Sequence, residues 1–134
     1  MTLEEKIAME EGFEGRIYIC SAGYRSIGYG FNLDSTQMPR EVADLWLKIN
    51  IKDIKRRLSE FKFIDDLDEP RQIVLYDMAY QMGVNGMLSF TSMLNSLRAR
   101  RYHEAAEHLL DSKYAKQTPA RAQRNAEILR TGEI

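Results

Sequence analysis

The sequence predicts a mostly helical α+β protein with one small β-hairpin near its N-terminus. Three observations lead there. Residues 39–61 carry an apolar stripe, Val42, Leu45, Trp46, Ile49, Ile54 and Leu58, at close to the helical period. Residues 17–30 have a different texture, with apolar and aromatic residues flanking the small-residue turn Ser21-Ala22-Gly23. The 134 residues are 44% hydrophobic and 29% charged, an ordinary globular composition in a chain long enough to bury a core as one domain.

The elements follow in order. Thr2 and Glu5 form a capping-box pattern that starts a short helix, and Gly12 stops it. The hairpin comes next, with Gly28 and Gly30 marking close backbone approach. Residues 32–37 are polar and turn-rich. Pro39 then opens the long helix, which is expected to reach about residue 61. The acidic run 65–68 precedes Pro70 and marks a boundary. Residues 69–82 read as the most buried helix, broken by Gly83 and Gly86. Thr91 is expected to cap a helix through residue 97. Residues 102–110 form another, with Ala105, Ala106 and Leu109 inside. Thr118-Pro119 opens the last helix and Gly132 closes it. A helix-linked arrangement of two lobes follows, with lobes of roughly 12–60 and 1–11 plus 61–134.

Charge narrows the function classes. The net formal charge is −1, which argues against bulk capture of nucleic acid or of an anionic membrane. Residues 1–68 carry 10 basic and 13 acidic side chains, and residues 69–134 carry 9 and 7, so the halves stand at −3 and +2. One cysteine, Cys20, excludes an intrachain disulfide framework. No apolar run approaches the ~20 residues of a membrane span, and the acidic N-terminus does not read as a secretory signal. Cytosolic synthesis without membrane insertion is expected, and a monomer. His103 and His108 are five residues apart and do not share a helix face. No metal and no cofactor is expected.

One constellation carries chemistry. Glu11 ends the first helix, where the negative end of the helix dipole favours a neutral carboxyl, the form a general acid requires. Cys20 sits at the start of the hairpin turn and Ser26 on the returning strand. If residues 20 and 24 face each other, then 20, 24 and 26 share one face of the hairpin. The bland readings are a surface acid, an inert thiol and a locally bonded hydroxyl.

These residues resemble the active-site segment of phage-type lysozymes, the endolysins related to the T-even bacteriophage lysozyme. The family pattern is Glu, eight residues, Asp or in some members Cys, five residues, Thr. Here it reads Glu11, Cys20, Ser26. Further matches are Tyr80-Gln81-Met82-Gly83 with Gly86 and Phe90-Thr91, the segment Arg101 to Ala106, and Gln117-Thr118-Pro119-Ala120-Arg121-Ala122 with Arg130-Thr131-Gly132. The correspondence runs from about residue 3 to 132.

The resemblance implies a lysozyme-like fold and hydrolysis of the β-1,4 bond between N-acetylmuramic acid and N-acetylglucosamine in bacterial peptidoglycan. Glu11 would protonate the leaving oxygen, and Ser26 would hold the attacking water. Cys20 would stand where the family usually has a carboxylate. Tyr80, Gln81, Tyr114 and Thr118 would contact sugar, and Arg121 would orient the acid, opposing the helix-end effect on it. An endolysin would wait in the host cytoplasm for a pore made by another lysis protein. Two other readings stay open, a non-catalytic wall-binding protein and a tail-associated or secreted antibacterial lysozyme domain.

The departures bear on mechanism. A thiol has a reference pKa near ~8.5. Burial and the nearby Glu11 would raise it, and a nearby cation would lower it. The thiolate could act as nucleophile or base, or the thiol could only position water. The first would retain the anomeric configuration and the second would invert it; inversion is favoured, since Ser26 suits a water-holding role. Phe31 replaces the His that better-known members carry after the second glycine, so an ion pair made there is absent. The loop 31–38 is short, and the upper lobe should be smaller. A C-terminal extension seen in some relatives is not present before the end at Ile134. Trp46 is expected in core or interlobe packing. Arg98, Arg100 and Arg101 form the densest basic cluster, either a solvated connection or an attraction to anionic wall polymers.

Overall fold

The computed structural model describes residues 1–134. The chain divides into two compact units, Met1–Asp44 and Leu45–Ile134.

The first unit holds helix α1 (Leu3–Glu11) and a small antiparallel sheet in the order β1 (Glu14–Ile19), β2 (Arg25–Gly28), β3 (Phe31–Asn32). The expected capping box is formed: Glu5 N–H donates to the Thr2 hydroxyl at 3.1 Å, and Thr2 N–H to the Glu5 carboxylate at 2.8 Å. Gly12 ends the helix at φ +69°, a conformation that disfavours any side chain. In the sheet Tyr18 pairs with Ser26 and Ile19 with Arg25, while Glu14 pairs with Gly28 across an irregularity.

The third strand is new relative to the sequence reading, which treated residues 32–37 as turn. Phe31 and Asn32 pair with Ile27 and Ser26. Asp34 holds this return. One carboxylate oxygen accepts from the Arg25 backbone N–H at 3.0 Å, and the other from its Nε at 3.0 Å and Nη2 at 2.6 Å. A local carboxylate–guanidinium fork therefore closes the short loop, in place of an ion pair at residue 31.

Helix α2 (Arg40–Arg57) crosses from the first unit into the second. It ends four residues before the expected limit at 61. The Ser59 hydroxyl donates to Arg56 C=O at 2.7 Å, and its N–H bonds the same carbonyl, so the chain tightens into a turn. That turn carries Leu58 into the core. The rest of the apolar stripe fares differently: Ile54 packs against the core, whereas Trp46 is half-exposed rather than buried.

The second unit continues with a 3₁₀ turn (Lys62–Ile64), then α3 (Glu69–Met82), α4 (Val84–Leu88), α5 (Thr91–Arg98), α6 (Tyr102–Leu110), α7 (Lys113–Gln117) and α8 (Pro119–Thr131). The bounds of α3, α6 and α8 agree with the sequence reading. The two five-residue helices α4 and α7 escaped it, being too short to show a period. Thr91 is the first residue of α5, and its side chain makes no cap bond. Val74, Leu75 and Met78 of α3 form the core with Met93 and Leu97 of α5 and Leu129 of α8. α6 and α8 share the largest helix–helix contact, and Ala105, Ala106, Ala122 and Ala126 are all buried there. Small side chains on both helices let the backbones approach closely, so overpacking at any of the four is costly.

Between α5 and α6 the chain closes helix α5 by a bond from Arg101 N–H to Ser96 C=O at 2.8 Å. The residue before it, Arg100, sits at φ +58°, the one non-glycine residue with a positive φ. That is the position glycine occupies in most such helix ends. Arg100→Gly is expected to raise stability by about 1 kcal/mol through relief of this conformation, measured by urea unfolding. An unchanged or lower midpoint would refute the strain.

Candidate active site

α1 delivers Glu11 as its last residue, and the β2–β3 turn meets it. A Cβ placed on Gly30 would lie 2.9 Å from Glu11 Oε2 and 4.0 Å from the Tyr18 hydroxyl. The carboxylate thus rests on the bare backbone of Gly30, which holds φ +76°. The glycine pattern foretold close backbone approach, though not what approaches. Beside it, the Phe31 ring covers Gly28, at 2.9 Å from where that residue's Cβ would stand. Tyr29 meets Phe31 edge-on at 6.3 Å and Phe13 at 5.6 Å.

The hairpin register answers the question about Cys20. Its N–H donates to Tyr24 C=O at 2.9 Å, and Gly23 N–H donates back to Cys20 C=O at 2.9 Å. With Tyr18 opposite Ser26, the residues Tyr18, Cys20, Tyr24 and Ser26 lie on one face. Ser26 is the one buried residue of the sheet, at 2% exposure. Cys20 is half-buried.

The thiol is acidified. The backbone N–H of Tyr24 is the largest cause, burial opposes it, and the Ala22 backbone, the Ser26 hydroxyl and the Gly23 backbone also lower the value. No cation takes part. Neutral hydrogen-bond donors aimed at sulfur stabilise the thiolate by the same physics that acidifies a carboxylate held by amides. The sequence suggested upward pressure from burial and Glu11; the turn's own amides outweigh the burial. Cys20 and Ser26 therefore share one face of the hairpin, with Ser26 among the groups that lower the thiol's pKa, and Tyr18 is the cross-strand neighbour that sequence reasoning passed over. Its signal was the alternation 18, 20 along the strand.

The other candidates lie in the second unit. Arg121 on α8 grips Asp77 on α3 through Nε at 3.1 Å and Nη2 at 2.5 Å. Asn125 Nδ2 donates to the same carboxylate at 2.9 Å and to the Tyr114 hydroxyl at 3.2 Å. Tyr114 is buried, edge-on to Phe90 at 6.1 Å. The Thr118 hydroxyl donates to Tyr114 C=O at 3.1 Å, so it is occupied locally at the α7–α8 junction. Tyr80 is half-exposed. Gln81 stands out, because its Oε1 is buried and lacks any hydrogen-bond partner. A group so placed costs free energy unless something satisfies it.

Asp77 itself is partly buried, which raises its pKa, but the bonds from Arg121 and Asn125 prevail, and its carboxyl stays below the usual range. Its contribution to stability is present above the unfolded-state value and lost as pH falls through the folded one. Neither Asp77 nor Asn125 was singled out from the sequence. The spacings 77/80/81 on α3 and 121/125 on α8, one helical turn each, carried the signal.

An N-terminal helix, a small three-stranded antiparallel sheet and a unit of helices make up a mostly helical α+β fold of the lysozyme class. The chain belongs to the phage lysozyme family, whose profile matches residues 8–127. It is 26% identical to the pre-baseplate central spike protein Gp5 of Enterobacteria phage T4, an alignment covering all of this chain and 28% of that protein. It is 27% and 28% identical to probable T4-type lysozymes 1 and 2 of Dictyostelium discoideum, over 81% of this chain and 68% of each. The chain thus spans about a quarter of the spike protein's length and about two thirds of each lysozyme's. No helix is long and apolar enough to cross a membrane.

Proposed function

We propose that the chain hydrolyses the β-1,4 bond between N-acetylmuramic acid and N-acetylglucosamine in peptidoglycan. Glu11 acts as the general acid, giving its proton to the leaving oxygen as the glycosidic bond breaks. Ser26 holds a water and the Cys20 thiolate accepts its proton as it attacks the anomeric carbon, which inverts the configuration. Tyr80 and Gln81 offer contacts to the sugar chain, Tyr114 and Thr118 back them with hydroxyls engaged inside the second unit, and Arg121, which the family resemblance gives as the acid's orienting partner, is held by Asp77. The observation that supports this reading is that Cys20 and Ser26 share one face of the hairpin, in the unit where Gly30 backs the Glu11 carboxylate.

The test is peptidoglycan digestion with product stereochemistry. Cys20→Ala is expected to lower kcat by about tenfold or more, with Cys20→Asp recovering activity. Iodoacetamide should alkylate Cys20 at a pH below that of an ordinary cysteine, and Ser26→Ala should move that midpoint up. Full activity in Cys20→Ala would remove the thiol from the mechanism. Retained configuration, with a sugar trapped on sulfur, would make Cys20 the nucleophile. Saccharide binding without new reducing ends would favour a wall-binding protein instead.

Action as a monomer in host lysis, from the cytoplasm through a pore made by another protein, fits this chemistry. One observation favours a different delivery: the whole chain aligns with part of a phage baseplate spike protein. On that second reading the same domain reaches the wall as a component of a tail. Mass spectrometry of purified virions separates the two.

A further inference from the structure

We propose that Asp77 is a positioning residue that holds the saccharide-binding side of the second unit in its working arrangement. The proposal rests on the reading of Tyr80, Gln81, Tyr114 and Arg121 as sugar-contacting or site-orienting groups.

Asp77 stands at the meeting point of three helices. Its two oxygens accept three hydrogen bonds, two from Arg121 and one from Asn125, and Asn125 hands the connection on to Tyr114. Three side chains from α7 and α8 are thereby fixed by one carboxylate on α3. The arrangement leaves Arg121 held along its Nε–Nη2 edge. A long cation otherwise free to sample many rotamers is locked before any ligand arrives, which removes that ordering cost from binding. Asp77 also shares α3 with Tyr80 and Gln81, three and four residues on, so the three occupy one side of the helix. Gln81 Oε1 there is buried and unpartnered, which points to a donor arriving from outside the protein, such as an N-acetyl N–H.

A carboxylate is needed for this task, and an amide is not equivalent. Every partner of Asp77 is a donor, so both of its oxygens must accept. In Asp77→Asn one end becomes an NH₂ that faces either the Arg121 fork or the Asn125 amide, donor against donor. The exchange Asp77→Asn with Asn125→Asp reverses one bond and returns a carboxylate one helical turn from Arg121. Tyr114 can then donate to residue 125 where it now accepts.

The experiment measures binding of an N-acetylglucosamine hexamer by calorimetry, alongside kcat and KM on peptidoglycan, in the full chain. Asp77→Asn is expected to weaken hexamer binding by about tenfold or more and to raise KM more than it lowers kcat. The double variant should recover most of the loss. A merely structural role would lower the unfolding midpoint without separating KM from kcat, and the pairwise exchange would not restore affinity. Hexamer binding unchanged in Asp77→Asn overturns the proposal, as does a double variant no better than the single one at equal stability. Absence of hexamer binding by the unsubstituted protein would instead sink the reading beneath it, and a Tyr80→Ala variant that binds normally would do the same.

Discussion

Glu11→Gln is expected to reduce peptidoglycan hydrolysis by about 10²–10⁴-fold or more while leaving unfolding nearly unchanged. The amide fills the volume of the carboxyl against Gly30, where the Glu11 oxygen would stand 2.9 Å from any added Cβ. It keeps the shape and loses the transferable proton. A companion substitution, Gly30→Ala, acts on geometry alone. Its methyl group would occupy the carboxylate's place, and φ +76° is strained for alanine, so activity and stability should both fall. The measurement is the rate of new reducing ends from purified peptidoglycan. Wild-type activity in Glu11→Gln would remove this residue from the acid role.

Arg71→Ala is expected to cost about 3 kcal/mol of stability. Arg71 is only 8% exposed and acts as a clasp on the end of α8. Its Nε donates to Leu129 C=O at 2.8 Å, its Nη2 to Arg130 C=O at 3.2 Å, and its Nη1 to Asp68 at 2.9 Å. The last carbonyls of a helix lack partners within it, and here a buried guanidinium supplies them and complements the helix dipole. The same group lies 3.5 Å from the Tyr102 ring centroid, a cation–π contact that ties in α6. Truncation orphans two carbonyls and leaves Asp68 without its partner, which exceeds the value of any single bond. Arg71→Lys should recover less than half, since an ammonium cannot reproduce the fork or the stack. Urea unfolding decides it; a loss under about 0.5 kcal/mol would show the clasp to be dispensable.

The helices of the second unit were legible to different degrees, and the reasons are local. α3 and α8 open on proline and close at glycine, so their limits could be read directly, while α6 was read from its apolar period alone. α2 carried an equally clear period, yet its last turn lost to the Ser59–Arg56 bond, which a periodicity argument does not see. α4 and α7 span five residues each, less than two helical turns. In the sheet, β3 is two residues long and depends on Arg25 and Asp34 meeting across nine positions.

The candidate site divides in the same manner. Glu11, Cys20 and Ser26 were singled out by their match to the family's order and spacing, and the groups packed around them were not. The acidity of Cys20 comes from amides of its own turn, whose direction depends on the turn's geometry. Arg121 was found as a matching residue, whereas Asp77, 44 positions away, is paired with it only by folding.

By itself the sequence determined the helical periods, the capping box, the glycine stops and the residue types that make acid–thiol–hydroxyl chemistry available, because each is set by neighbours within a few positions. Tertiary structure alone decided which donor faces which acceptor: amides on the Cys20 sulfur, Gly30 under the Glu11 carboxylate, Asp77 in the Arg121 fork and Arg71 on the end of α8. Those pairings join residues up to 59 positions apart, and their energies depend on distance, direction and burial, quantities that exist only once the chain has closed on itself.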